Sequence, residues 1–351
     1  MTEYYDWAKT LSYDADVTMV VGARGLGKTF GLRVQFVRDF LRDGSRFVEV
    51  VRYKDELSDV SGDYFERVGK LPEFSKLRFK SDSHCAYIAR NDFDKKPKWE
   101  LIGYFIAMTQ HQRKKKKTYD RVRRILLDES VIERTDRYHT YLPNEYMILA
   151  DIVDTVSRER ADVKSTRPRL YLLGNACDIA NPYFMRYGVG SNPTYGYKWY
   201  SDKTFLLHYV ESKAYSEGKA RDTVAGRMIS GSEWGSQSID NKFVTTSTEF
   251  VRRKSARARF RFGVVCNGNE FGIWCDETEG YYYVTNSIPK NSDRRTFTLT
   301  RADDTANYIA IRKASPVLRN FAELWYMGVV RFDNVPCKER FYKVLDLFGI
   351  R

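Results

Sequence analysis

Short apolar runs alternate with amphipathic stretches through the first half of the chain. Residues 17–21 (Val-Thr-Met-Val-Val) form a β-branched run that ends at Gly22, the pattern of a strand buried on both faces. Beyond it Phe30, Val34, Val37 and Leu41 recur at helical spacing, and Gly44 stops the helix. Residues 46–51 read as a second strand, and 125–127 and 170–173 as two more, each ending in polar residues. Between these last two, Pro143 opens a helix whose apolar face holds Tyr146, Leu149, Val153 and Val156. Strands alternating with helices predict a doubly wound α/β sheet with its ligand site at the carboxyl edge.

The texture changes after about residue 198. Residues 211–238 are rich in Gly, Ser and charge and read as a small linker region. Strand patterns follow at 258–265, 271–275, 281–284 and 295–300, with Asn267-Gly268 suited to the hairpin turn joining the first two. Helical patterns at 316–327 and 338–348 come last. The expected organisation is a first domain over 1–197, a linker region over 198–230 and a mixed α+β domain over 231–351.

Composition narrows the class. The chain has 351 residues, 42% of them hydrophobic, enough for a real core. No apolar run approaches the roughly 20 residues of a membrane span, and residues 1–10 are acidic and aromatic, unlike a secretory leader. A soluble intracellular protein with no membrane partner is expected. Five cysteines (Cys85, Cys177, Cys266, Cys275, Cys337) include no C-x-x-C pair, and the four His are scattered, so buried reduced thiols are expected instead of a zinc site. The net charge of +13 favours a polyanionic partner.

Gly22-Ala-Arg-Gly-Leu-Gly-Lys-Thr29 matches the phosphate-loop pattern G-x-x-x-x-G-K-[ST] at every fixed position, between a strand and a helix. Gly22, Arg24, Gly25 and Gly27 belong to the loop, whose backbone N–H groups wrap the phosphates of ATP. Lys28 reaches the β- and γ-phosphates, and Thr29 ligates Mg2+. At the end of the 125–127 strand, Asp128 would hold Mg2+ through water or Thr29, and Glu129 would orient the attacking water. An adjacent catalytic glutamate marks the ASCE-type branch of P-loop ATPases. Asn175, after the 170–173 strand, either senses the γ-phosphate or closes a turn with Gly174.

Arg158 and Arg160 end the helix opened by Pro143. They either complement the helix dipole or act as an arginine finger on a neighbouring subunit's γ-phosphate. Two basic clusters stand out. The run Arg113, Lys114, Lys115, Lys116, Lys117 with Arg121, Arg123 and Arg124 is either a solvated loop or a phosphate contact, to DNA or to a neighbour's ATP. In the second cluster Arg257, Arg259 and Arg261 alternate with small or aromatic residues, which makes one strand face positive or protects an edge. Two clusters in two domains suit a polyphosphate track.

Beyond these motifs, the chain resembles the DNA-packaging ATPases of small tailed bacteriophages of the phi-twenty-nine type. The resemblance spans nearly the whole chain. It rests on VVRYKDEL at 50–57, YLPNEY at 141–146, DTVSRER at 154–160, LGNACDIANPYF at 173–184, GRMISGSEWGSQSIDNKFV at 226–244 and YMGVVRFDN at 326–334. It implies a homo-oligomeric, pentameric ring that docks on the portal of a prohead through a structural packaging RNA and drives double-stranded viral DNA inward. Such a protein would work in the host bacterial cytoplasm, transiently on the prohead, and be absent from the mature virion. The resemblance assigns Lys28, Thr29, Asp128 and Glu129 to the cis ATP site, Arg158 to a finger acting in trans and Lys54 to the nucleotide's vicinity. Lys115 would reach the next subunit's site, and residues 132–141, with Arg134, Arg137 and His139, would grip DNA in the pore. Val51 departs from the family pattern, which has a basic residue beside Arg52.

The same resemblance implies an RNase H-like second domain that has lost its nuclease acids. The 258–265 strand carries arginine and no Asp or Glu, and Asp276 alone cannot hold the paired metals of such nucleases. DNA or RNA binding without cleavage is expected there. A terminase-like ATPase with an active nuclease and a non-motor ATP-dependent nucleic-acid-binding switch are the alternatives.

Overall fold

The computed structural model describes residues 5–58, 65–82, 84–90, 96–114, 118–132, 141–142, 144–158, 167–189, 193–211, 213–229, 241, 243, 248–290, 292, 295–311 and 315–350. Two compact units emerge. The first comprises Met1–Ile132, Met147–Ala176 and Tyr195–Lys242; the second comprises Glu133–Tyr146, Cys177–Thr194 and Phe243–Arg351.

The first unit is built on a nine-stranded sheet. Its strands are β1 (Val17–Val21), β2 (Arg46–Val51), β3 (Leu77–Asp82), β4 (Cys85–Arg90), β5 (Glu100–Ala107), β6 (Val122–Leu127), β7 (Arg169–Gly174), β8 (Gly196–Tyr200) and β9 (Phe205–Tyr209). Their spatial order is β3-β4-β5-β2-β6-β7-β1-β9-β8. The six strands from β5 to β9 in that order run parallel. An antiparallel neighbour closes each edge, β4 with β3 on one side and β8 on the other. The four strands expected from continuous apolar runs lie together at the centre, where both faces are covered.

The helix Lys28–Asp43 starts at Gly27 and stops at Gly44, both in the left-handed conformation that favours glycine. Its buried stripe is Leu32, Val34, Phe36 and Val37. Phe30 and Leu41, expected on that stripe, are instead 37% and 53% exposed, because the face turned to the sheet is the one carrying Leu32 and Phe36. Phe36 stacks on Phe47 of β2 at 4.6 Å. Two ion pairs reinforce the packing, Arg124–Asp39 at 2.5 Å and Arg33–Glu49 at 2.7 Å. Trp7 pins the helix start, its Nε1 donating to the Lys28 carbonyl at 2.9 Å. A Cβ on Gly31 would come within 2.6 Å of that indole.

The boundary expected at 197/198 is displaced. β8 and β9 flank it and complete the first sheet, because the apolar run Phe205, Leu206 and Leu207 is buried beside β1. Within the stretch read as a linker, residues form the helices Lys213–Asp222 and Val224–Ile229. Asn241, expected in the second domain, belongs to the first unit.

The second unit holds a six-stranded mixed sheet of β10 (Arg259–Cys266), β11 (Asn269–Asp276), β12 (Tyr281–Thr285), β13 (Thr296–Thr298), β14 (Ile309–Ala310) and β15 (Val330–Phe332). Its order is β14-β13-β10-β11-β12-β15. β10, β11 and β12 form an antiparallel meander, while β13 joins β10, β14 joins β13 and β15 joins β12 in parallel. Asn267 and Gly268 make the two-residue turn as expected, with φ of 49° and 70°. The helices Pro316–Tyr326 and Val335–Tyr342 cover the sheet with an aromatic core that includes Phe271, Phe321, Trp325 and Phe341.

All five cysteines are buried and free, and burial pushes the Cys266 and Cys337 thiols up to about 12. Among the described residues no helix is long and apolar enough to cross a membrane.

Candidate nucleotide site

The phosphate loop leaves β1 at the carboxyl edge of the sheet, between β7 and β9. Gly25 and Gly27 have φ of 84° and 81°, which side chains with a Cβ rarely adopt. At Gly22 an added Cβ would sit 3.2 Å from both Leu26 and Lys28, so the missing side chain leaves room for the lysine to fold back. Lys28 is 7% exposed, and its Nζ donates to the carbonyls of Gly22 at 2.7 Å and Ala23 at 3.0 Å. It also donates to Asn175 Oδ1 at 3.2 Å. The loop therefore gathers one ammonium and the start of a sixteen-residue helix, both groups that favour phosphate.

Asp128 meets the loop at Thr29. Thr29 Oγ1 donates to Asp128 Oδ2 at 2.7 Å, so a hydroxyl and a carboxylate converge as hard oxygen donors, a fit for Mg2+. Asp128 Oδ1 accepts the backbone N–H of Glu129 at 2.9 Å. Glu129 is exposed and has a left-handed backbone, φ 48°. Ser130 anchors the same turn to β7, its N and Oγ donating to the Leu173 carbonyl at 2.7 and 2.8 Å. Asn175, just after β7, touches the loop lysine through its Oδ1.

Of the other expected site residues, several are exposed and several lie outside the described residues. Arg24 is exposed, and its carbonyl accepts the Tyr215 hydroxyl at 3.1 Å. Lys54 is exposed and lines a cavity of about 630 Å³ with Asp55, Leu57, Ser58, Ser81, Asp82 and His84. Arg158 is exposed at the end of the helix Glu145–Ser157 and pairs with Asp154 at 3.3 Å, one turn earlier. Lys114 ends the short helix His111–Lys114. Lys115, Lys116, Lys117, Arg134, Arg137, His139 and Arg160 lie outside the described residues. In the second unit Arg257, Arg259 and Arg261 are exposed, and Arg261 pairs with Glu277. A bulge at Phe260/Phe262 interrupts their regular alternation.

Three further residues, to which the sequence assigns no role, contact the loop, the strand leading into it or the turn after β6. Arg52 is 6% exposed, and its guanidinium donates to the carbonyls of Glu129 at 2.7 Å and Ser130 at 2.9 Å. Tyr215 lies over the loop, where a Cβ on Gly25 would stand 2.6 Å from its hydroxyl. Asn241 bonds the backbone on either side of the loop strand.

Comparison with known proteins places this site in a lineage. The model of the Podovirus DNA encapsidation protein (Gp16) family matches residues 1–348. The DNA packaging protein of Bacillus phage PZA is 33% identical over 350 residues, covering 99% of this chain and 98% of the relative. That of Bacillus phage phi29 is 32% identical over the same length and shares. Among solved structures, a chain of the bacteriophage Phi-29 viral genome packaging motor assembly is similar over 99% of both chains, with 31% identity and a TM-score of 0.56. The N-terminal domain of the DNA packaging ATPase from bacteriophage phi29 is similar over 60% of this chain and 97% of that one, with 31% identity and a TM-score of 0.50. The chain belongs to the podovirus DNA encapsidation protein (Gp16) family.

Proposed function

We propose that this protein is a ring-forming, ATP-driven motor that translocates double-stranded viral DNA into a preformed prohead. The observation that carries the reading is the pairing of Lys28 with Asn175 and of Thr29 with Asp128 around the loop at the carboxyl edge of the sheet. Lys28 and the loop N–H groups hold the β- and γ-phosphates. Thr29 and Asp128 would hold Mg2+, which would supply neutralisation of phosphate charge. Glu129 accepts a proton from the attacking water, and Asn175 registers the γ-phosphate through its contact with Lys28. Arg158 of a neighbouring subunit completes the site by stabilising transition-state charge.

The named relatives support DNA as the cargo, and a net charge of +13 suits a polyanion. The ring is read as a pentamer on the portal with a packaging RNA, working in the host cytoplasm. Lys114, Lys116, Lys117, Arg134, Arg137, Arg257, Arg259 and Arg261 are read as DNA contacts, with Lys115 reaching the next subunit's nucleotide. The second unit is read as a vestigial RNase H-like nucleic-acid-binding domain without nuclease activity. β10 supplies no carboxylate to a two-metal site. Asp276 instead accepts from the Ser255 hydroxyl and from the backbone N–H of Glu279 and Thr278, which hold its carboxyl below the usual range.

The test is a packaging assay with purified proheads, packaging RNA, ATP and linear DNA. Wild type should render DNA nuclease-resistant, and Glu129→Gln should not. Failure of the wild type to protect DNA, or cutting of that DNA under magnesium or manganese, would sink this reading.

A further inference from the structure

We propose that Asn241 is a positioning residue for ATP hydrolysis, one that ties together the carboxyl ends of β1, β7 and β9 around the phosphate loop. The proposal rests on the ATPase reading above. Asn241 stands far along the chain from the loop, yet it is 1% exposed and fully engaged. Its Oδ1 accepts the backbone N–H of Ala176, the residue after Asn175, at 3.2 Å. Its Nδ2 donates to the carbonyl of Val21, the residue before Gly22, at 3.3 Å, and to that of Val210 at 2.9 Å. The Asn241 carbonyl in turn accepts the Tyr209 hydroxyl at 2.5 Å.

The chemistry of these contacts selects this residue type. Buried groups at the ends of parallel strands need partners where the ladder runs out. The Val21 carbonyl already accepts the Val210 N–H at 2.8 Å, and Asn241 adds a second donor to it and bonds the Val210 carbonyl and the Ala176 N–H. A carboxamide offers an acceptor and two donors in one plane. Asn also tolerates the left-handed backbone found here, φ 52°, where most side chains are strained. Aspartate has the same shape but would set acceptors against two carbonyls.

The consequence falls on the site. Asn175 Oδ1 meets Lys28 Nζ, and the Gly22 N–H donates to the Gly174 carbonyl at 3.1 Å, so loop and sensor share a short hydrogen-bonded frame. Asn241 bonds the residue beyond each end of that frame, Val21 and Ala176. Removing its amide frees Asn175 and the loop to shift relative to one another. A shift of that kind costs turnover more than ground-state binding, because the geometry matters most when charge moves.

Asn241→Gly removes the amide and keeps a permissive backbone; Asn241→Asp keeps the acceptor for Ala176 and loses both donors. Each is compared with wild type in steady-state ATP hydrolysis, in binding of a fluorescent ATP analogue and in thermal melting. The expected result is a kcat at least about tenfold lower for Asn241→Gly, with analogue affinity within about twofold of wild type. Asn241→Asp, which turns an oxygen towards the Val21 and Val210 carbonyls, should lose at least as much turnover as Asn241→Gly. Since Asn241 acts through Asn175, Asn175→Ala/Asn241→Gly should hydrolyse within about twofold of Asn175→Ala alone. Unchanged turnover in either variant beside an active wild type overturns the assignment alone. So do independent, additive losses in the double variant, or a parallel loss of affinity and melting temperature. No hydrolysis by wild type overturns the ATPase reading and this assignment with it. If Asn241→Gly melts below the assay temperature, Asn241→Asp carries the comparison.

Discussion

Arg52 spans 77 residues of sequence to reach the turn that carries Glu129. A left-handed non-glycine residue costs on the order of 1–3 kcal/mol and persists only where its surroundings hold it. Here the holder is a buried guanidinium that takes the two successive carbonyls of Glu129 and Ser130 at once. A lysine is a point charge on a flexible stem and cannot bridge two carbonyls with a planar fork. Arg52→Lys should therefore lower kcat for ATP hydrolysis by about tenfold or more while leaving KM within about twofold, as steady-state kinetics would measure. An equal rise in KM would mean that Arg52 serves binding instead. Lys28, Thr29 and Asp128 were legible in the sequence because loop chemistry fixes their spacing and their strands announce themselves. Arg52 and Asn241 were not, since no local pattern links a buried donor to a carbonyl that only the fold brings near.

At the scale of elements, the central parallel strands were legible and the edges were not. β1 and β7 are nearly all apolar, and β2 and β6 are apolar apart from charges such as Glu49 and Arg124 that are held in ion pairs, because both of their faces are covered. β3 alternates half-buried and exposed residues through Lys80 and Asp82, so its sequence resembles a loop. β5 is interrupted by Gly103, which reads as a break until its neighbour is seen. A Cβ there would lie 2.3 Å from the Phe47 ring, already stacked on Phe36. Gly103→Ala should destabilise the first unit by about 1–3 kcal/mol in chemical denaturation, with a smaller effect if Phe47 can move.

β9 carries a second consequence. His208 Nδ1 lies 2.7 Å from the Tyr5 hydroxyl, and its ring stacks on Tyr197 at 3.7 Å. Burial, and then the charge of Lys9, lower its pKa to about 4. The unfolded chain takes up this proton near pH 6.5 and the folded chain only near 4. Its contribution is thus intact above about 6.5 and is lost as pH falls through the window to about 4. Melting temperature measured across that window should fall less steeply in His208→Gln than in wild type.

At the scale of the whole molecule, Arg158 decides whether one chain holds a complete site. It is 51% exposed and its pair with Asp154 spans a single helical turn, a type of ion pair worth only about 0.3–0.5 kcal/mol. Such a weak tether leaves the guanidinium free to be taken by a neighbour's γ-phosphate. A finger acting in trans divides the active site between two subunits, and this division has a signature that single variants lack. Arg158→Ala subunits keep Lys28, Thr29, Asp128 and Glu129 but offer no finger to the neighbour. Glu129→Gln subunits offer the finger but cannot activate water. Each variant alone should hydrolyse little ATP. In mixed rings, every interface that sets an Arg158→Ala site against a Glu129→Gln finger is whole again. Random equal mixing restores about a quarter of the sites, so hydrolysis should rise well above either parent. A finger acting in cis restores none, because neither chain then holds a complete set. Hydrolysis measured across mixing ratios should peak near equality if the site is shared and stay flat if it is not.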